Sequence, residues 1–146
     1  MSPGITARYG APTLTALRIV AGIGFFTHGA QKLFGWFGGM GPEGGTAEVM
    51  SRFWVAGIIE VVAAPLLILG LFTRMTALLS AGEMAVAYFW IHVPGGGLWW
   101  WANGGELAML YAFVWLYFAA VGGGPYSVDA RFRRPPVWKA GIPAPG

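Results

Sequence analysis

Four apolar stretches, at approximately 13–34, 53–72, 75–93 and 104–122, each approach the roughly 20 residues that a helix needs to cross about 30 Å of hydrocarbon. Ionisable residues nevertheless sit within them. Arg18, His28 and Lys32 fall in the first stretch, Glu60 in the second, Glu83 in the third and Glu106 at the mouth of the fourth. Crossing a membrane accounts for the apolar residues. It does not account for the charges, each of which costs on the order of 3 kcal/mol near a bilayer centre unless paired or hydrated.

With 56% hydrophobic and 10% charged residues in 146 positions, the chain has too little polar surface to coat a soluble globule. The expectation is one all-α membrane domain over 1–146. The absence of cysteine excludes disulfide chemistry, thiolate metal sites and covalent haem attachment. The pI is near 9.6, but the basic residues are scattered along the stretch edges rather than clustered with exposed aromatics, which argues against nucleic acid as a partner. Arg18 interrupts the first stretch and no small-x-small site precedes a polar region, so a cleaved signal peptide is not expected. Turn signals separate the stretches: Gly38-Gly39-Met40-Gly41-Pro42, Thr73-Arg74, Pro94-Gly95-Gly96-Gly97 and Gly122-Gly123-Gly124-Pro125.

Four spans place both termini and the turn at Arg74 on one side. That side carries Arg8, Arg74, Arg131, Arg133, Arg134 and Lys139, against Lys32 and Arg52 with Glu43 and Glu48 on the other. The excess predicts a four-transmembrane-helix bundle with both termini cytoplasmic. Trp36, Trp54, Trp90, Trp99, Trp100 and Trp101 collect at the opposite face, where indoles suit the headgroup boundary. The basic, proline-rich tail over 129–146 is expected to lie irregularly along the inner surface.

On a helical wheel Arg18, Gly22, Phe25, Gly29 and Lys32 share one face, with His28 at its edge. Glycines there admit a neighbouring helix, so this face should turn inward and leave Leu17, Val20 and Ile23 to lipid. At about 1.5 Å per residue, Glu60 falls near the midplane and Glu106 near the outer boundary. His28, Lys32, Glu60 and Glu106 are thereby expected to form one outward-facing polar cluster. For Glu60 the alternatives are a functional group or a structural bridge to Lys32 or His28. Lys32 either pairs with an acid or snorkels to the interface. Asn103-Gly104-Gly105-Glu106 fits a capping box in which Glu106 reaches back from the first helical turn, a role compatible with membership of the cluster.

Arg18 is read as structural, reaching cytoplasmic phosphates or Asp129. Glu83 projects almost opposite the Ala77, Ala81, Ala85 stripe. Either both faces of its helix are buried, or it meets another protein. His92 is expected at the interface. With His28 it forms a formal bis-histidine pair that lacks any flanking haem pattern. Pro65 should kink the second helix. No phosphate loop, metal spacing or Ser-His-Asp set is present, so no metal site is expected.

The chain resembles the DoxX family of small membrane proteins. The resemblance is carried by Arg18, by His28-Gly29-Ala30-Gln31-Lys32-Leu33 and by Gly57-Ile58-Ile59-Glu60. It continues through Leu69-Gly70-Leu71-Phe72-Thr73-Arg74, Asn103-Gly104-Gly105-Glu106 and Gly124-Pro125-Tyr126-Ser127-Val128-Asp129. It implies a multi-pass four-helix bundle in a prokaryotic cytoplasmic (plasma) membrane. Some members are associated with thiosulfate:quinone oxidoreductase, and others resemble partners of redox-stress enzymes. Glu83 and Trp99-Trp100-Trp101 depart from that pattern. Three readings follow. The chain is a redox-complex subunit that binds quinone at His28, Lys32, Glu60 and Glu106, has no intrinsic cofactor and is not catalytic alone. Alternatively it is an accessory subunit that meets other membrane subunits or its own copies through Glu83 and the tryptophans. The third reading is a small transporter or proton path.

Overall fold

The structure, a computed structural model, describes residues 5–132, with side chains from Arg8 onward. Arg133, Arg134 and Lys139 lie outside the described residues; of the tail over 129–146 expected to be irregular, the described part, 129–132, is helical. Every regular element among those described is helical. Helix α1 spans Ile5–Phe34, α2 Arg52–Leu69 and α3 Thr73–Ala87. A π turn at Tyr88–His92 and a helical turn at Val93–Gly96 prolong α3. Helix α4 spans Glu106–Val121 and the short α5 Val128–Phe132.

Three of these, Arg8–Phe34, Arg52–Leu69 and Thr73–Gly96, are long and apolar enough to cross a membrane. The fourth expected stretch condenses to the 16 residues of α4, about 24 Å of helix. Backbone chemistry sets both of its ends. Asn103 Oδ1 accepts from Gly105 N–H at 2.7 Å, with Gly104 at φ 70°, and this turn delays the start. Gly122 at φ 83° ends the helix, a conformation that glycine adopts without Cβ strain.

Helices α1 and α2 pack along each other, as do α3 and α4, and α2 joins the pairs through α3. Glycine governs the first contact. A Cβ on Gly29 would sit 2.9 Å from Val61 N and from Glu60 Cβ, and one on Gly57 would sit 3.0 Å from Lys32 Cβ. The inward face expected of α1 is realised: Arg18, Gly22, Phe25 and Gly29 are buried, while Leu17, Val20 and Ile23 are exposed. Pro65 faces outward within an unbroken α2. Phe25, Leu67, Trp115 and Phe118 fill the centre, and Ala77 and Ala81 of the alanine stripe join the same core. Replacing Gly29 by valine is expected to cost about 1–3 kcal/mol through overpacking. Gly82→Ala is the control, because nothing lies within 4 Å of that Cβ. Unfolding of both variants in lipid bicelles checks the difference.

One end of the bundle is closed by a long-range joint. Asp129 accepts from Phe72 N–H at 2.7 Å and Thr73 N–H at 2.8 Å, while its own N–H donates to Gly70 O at 2.9 Å. This carboxylate caps α3, where Phe72 holds φ 49° and offers no side-chain cap of its own. Arg74 and Arg131 therefore share one end of the molecule, as the charge distribution implies.

Candidate functional site

The site begins with small residues. Gly57 on α2 and Gly29 on α1 let the two backbones close together, which carries Lys32 across to Glu60, one turn further along α2. Lys32 Nζ donates to both carboxylate oxygens of Glu60, at 2.7 and 2.5 Å. The Glu60 side chain is 1% exposed and that of Lys32 18%, so the pair opens outward through the lysine. Of the two sequence readings of Lys32, snorkelling and ion pairing, the geometry realises the second.

His28, one turn before Lys32, is half-buried and sets its ring edge-on to Tyr111 of α4, with centroids 6.1 Å apart at 83°. Tyr111 lies within electrostatic reach of Glu60. The Tyr111 hydroxyl occupies the space that a Cβ on Gly24 would need, so a missing side chain on α1 admits it.

Glu83 belongs with this group. Both of its carboxylate oxygens are buried without a hydrogen-bond partner among the described residues, within electrostatic reach of Glu60 and Lys32. Ala77 and Ala81 of the alanine stripe pack into the shared core on the other side of the helix.

Glu106 does not join the cluster. It is exposed in the first turn of α4, and no ion pair or hydrogen bond ties it to Lys32 or Glu60. Nor does the capping box form. The residue preceding α4 is Gly105, which gives no side-chain cap. Asn103 turns its amide back instead, accepting from Gly105 N–H and donating to Gly97 O at 2.8 Å. The box fails because the 104–105 glycines close a turn before the helix begins.

Arg18 is 1% exposed and does not reach outward to phosphates. Its Nη1 donates to Leu67 O and Ile68 O, both at 2.6 Å, and its Nη2 to Tyr126 O at 3.3 Å. The guanidinium thus satisfies carbonyls at the C-terminal end of α2, where a cation is favoured. Arg18 and Asp129 bracket the Gly70 turn, one on its carbonyls and the other on its amides. At the far end, His92 Nδ1 lies 3.3 Å from Asn103 O and the Tyr88 hydroxyl donates to Leu98 O.

Sequence reasoning missed two features. Tyr111 was hidden among the aromatics of the fourth stretch. The second is a polar row on the buried face of α3: Thr73, Thr76, Ser80 and Glu83. Its signal was available as spacings of three, four and three residues in an otherwise apolar stretch. A cleft of about 570 Å³ also opens between α3 and α4 beneath Trp99 and Trp100, with Gly82, Ala85 and Phe113 among its walls.

The cluster offers ammonium and phenol donors beside two carboxyl groups in an apolar bundle. That combination can hold a polar head by hydrogen bonds or exchange protons with it. Compared with known proteins, the DoxX family model matches residues 13–93, which include Arg18, His28, Lys32, Glu60 and Glu83. An uncharacterized protein of Haemophilus influenzae is 45% identical over 122 residues, covering 82% of this chain and 90% of that protein. No solved structure matches the chain.

Proposed function

The chain belongs to the DoxX family of membrane proteins, and from that premise we propose that it is the integral membrane subunit of a quinone-linked redox complex. The observation that carries this reading is the Lys32–Glu60 pair, a hydrogen-bonded ion pair enclosed by apolar helices. Ionisable groups held inside a membrane bundle serve function by default, because an apolar pair of equal volume would pack at no desolvation cost. Lys32 supplies the donor for a quinone carbonyl, and Glu60 an acceptor for the proton of a quinol. His28 and Tyr111 edge the site. The chain has no cysteine to hold an iron–sulfur cluster or a covalent haem, so in this reading a partner subunit supplies and removes the electrons.

In this proposal α4 is the fourth span, lengthened by the helical turn at Trp100–Asn103 and by local thinning of the bilayer. The end bearing Arg74 and Arg131 is cytoplasmic, and the membrane is the prokaryotic cytoplasmic one. The accessory-subunit reading draws on the exposed Trp90, Trp99 and Trp101.

Protein purified in mild detergent from quinone-containing membranes is expected to retain quinone, and Glu60→Gln to lose most of it. Extraction and chromatography of the two preparations decides the point. Equal content in both, or none in either, refutes quinone binding at this pair.

A further inference from the structure

The buried face of α3 carries more polar atoms than the fold uses. Thr73 Oγ1, Ser80 Oγ and both oxygens of Glu83 are buried and matched by no group among the described residues. Thr73 and Ser80 are each 0% exposed. Trp115 of α4, also 0% exposed, adds an unmatched Nε1, and Arg18 Nε is a further unmatched donor. Folded proteins leave few such groups, and those that persist in polar interiors are characteristically bridged by ordered water. Leaving a hydroxyl or indole N–H dry costs about 1–3 kcal/mol each. Six such atoms on five residues of one small bundle are too many to attribute to incidental packing.

Their placement is directional. Thr73, Thr76, Ser80 and Glu83 recur at three- and four-residue intervals, so they line one side of α3 over about 15 Å. At the lower end, Thr73 adjoins the Asp129 carboxylate, which accepts its N–H at 2.8 Å. At the upper end, Glu83 lies within electrostatic reach of Lys32 and Glu60, and Lys32 is the partly exposed member of that pair. The charged groups that act on Glu83 are Lys32 of α1 and Glu60 of α2. Two carboxyl groups share a single ammonium among them.

We propose that this face holds a file of internal water that conducts protons between the Asp129 end of the bundle and the Lys32–Glu60 pair, with Glu83 as the carboxyl that takes up and releases each proton. A proton reaching a Glu83 oxygen passes to Glu60 as Lys32 shifts its hydrogen bonds from Glu60 to Glu83. It then leaves past Lys32. No electron moves and no covalent bond other than O–H is made or broken. The inference does not rest on quinone binding, since the route is built from this chain alone.

The test uses the full chain in quinone-free phospholipid vesicles that enclose a pH-sensitive dye, with potassium and valinomycin clamping the potential. After an external acid step, wild-type vesicles are expected to acidify faster than protein-free ones. Glu83→Gln should return the rate to that of protein-free vesicles, and Ser80→Val should lower it severalfold. Thr27→Val, whose hydroxyl only bonds Ile23 O of its own helix, should behave as wild type. Trp115→Phe keeps an aromatic ring, removes one unmatched donor and stands in if Glu83→Gln does not fold; it should also slow the flux. Wild-type rates equal to those of protein-free vesicles overturn the proposal. So does a flux that survives Glu83→Gln, or one lost in Glu83→Gln yet untouched by both Ser80→Val and Trp115→Phe.

Discussion

Lys32→Met is expected to destabilise the bundle by about 3–5 kcal/mol, because it strands an ionised partner in the interior. The pair is asymmetric, and the effects should be as well. Glu60 is 1% exposed whereas Lys32 is 18% exposed. Without the lysine, the carboxylate loses its counter-ion and both of its hydrogen bonds. Without the carboxylate, in Glu60→Gln, the ammonium can still swing outward along its aliphatic stem. Lys32→Met should therefore be the more damaging single change. The double variant Lys32→Met with Glu60→Leu should recover most of the loss, since an apolar pair needs no desolvation. Reversible unfolding of wild type, Lys32→Met, Glu60→Leu and the double variant in bicelles, read as a double-mutant cycle, tests this. Additive losses would mean that the two side chains do not act as a pair.

The second large effect is at Arg18. Its guanidinium donates to three backbone carbonyls from two distant segments, and hydrogen bonds from a charged donor contribute about 1.5–3 kcal/mol apiece. Arg18→Leu should cost about 3 kcal/mol or more, leaving the Ile68 carbonyl unpaired at the end of α2. Arg18→Lys should rescue little, because one ammonium cannot reproduce the planar fork that spans these carbonyls. Amide exchange should accelerate locally, across the end of α2 and the Gly70 turn, before it does in the middle of α2. Unchanged exchange over 66–73 in Arg18→Leu would show that the contact contributes nothing to that turn.

The apolar stretches and the inward face of α1 were legible because both are written in side-chain type. Gly22, Gly29 and Gly57 are small wherever they stand, and their spacing fixes which faces meet. The Lys32–Glu60 pairing was legible as one of two outcomes, since depth places the groups at similar levels but cannot tell a partner from the interface. The role of Arg18 was not legible, because its acceptors are carbonyls, which every residue owns. The direction of Glu83 followed from helical rotation, whereas the identity of the helix it faces depends on how α3 docks against α2 and α4. The capping-box expectation at Glu106 failed on backbone grounds. A motif of four residues does not encode whether its two central glycines continue into a helix or fold into a turn.

The Gly70 joint also bears on the order of assembly. Its donors and acceptors come from α1, from the turn after α2 and from the segment entering α5. A nascent chain can pair α1 with α2 while still tethered to the ribosome. The first turn of α3 must wait for its cap until Asp129 emerges. Helix pairing and final locking are thus separated in time, and a chain halted shortly before Asp129 would hold its first hairpin but leave α3 unanchored.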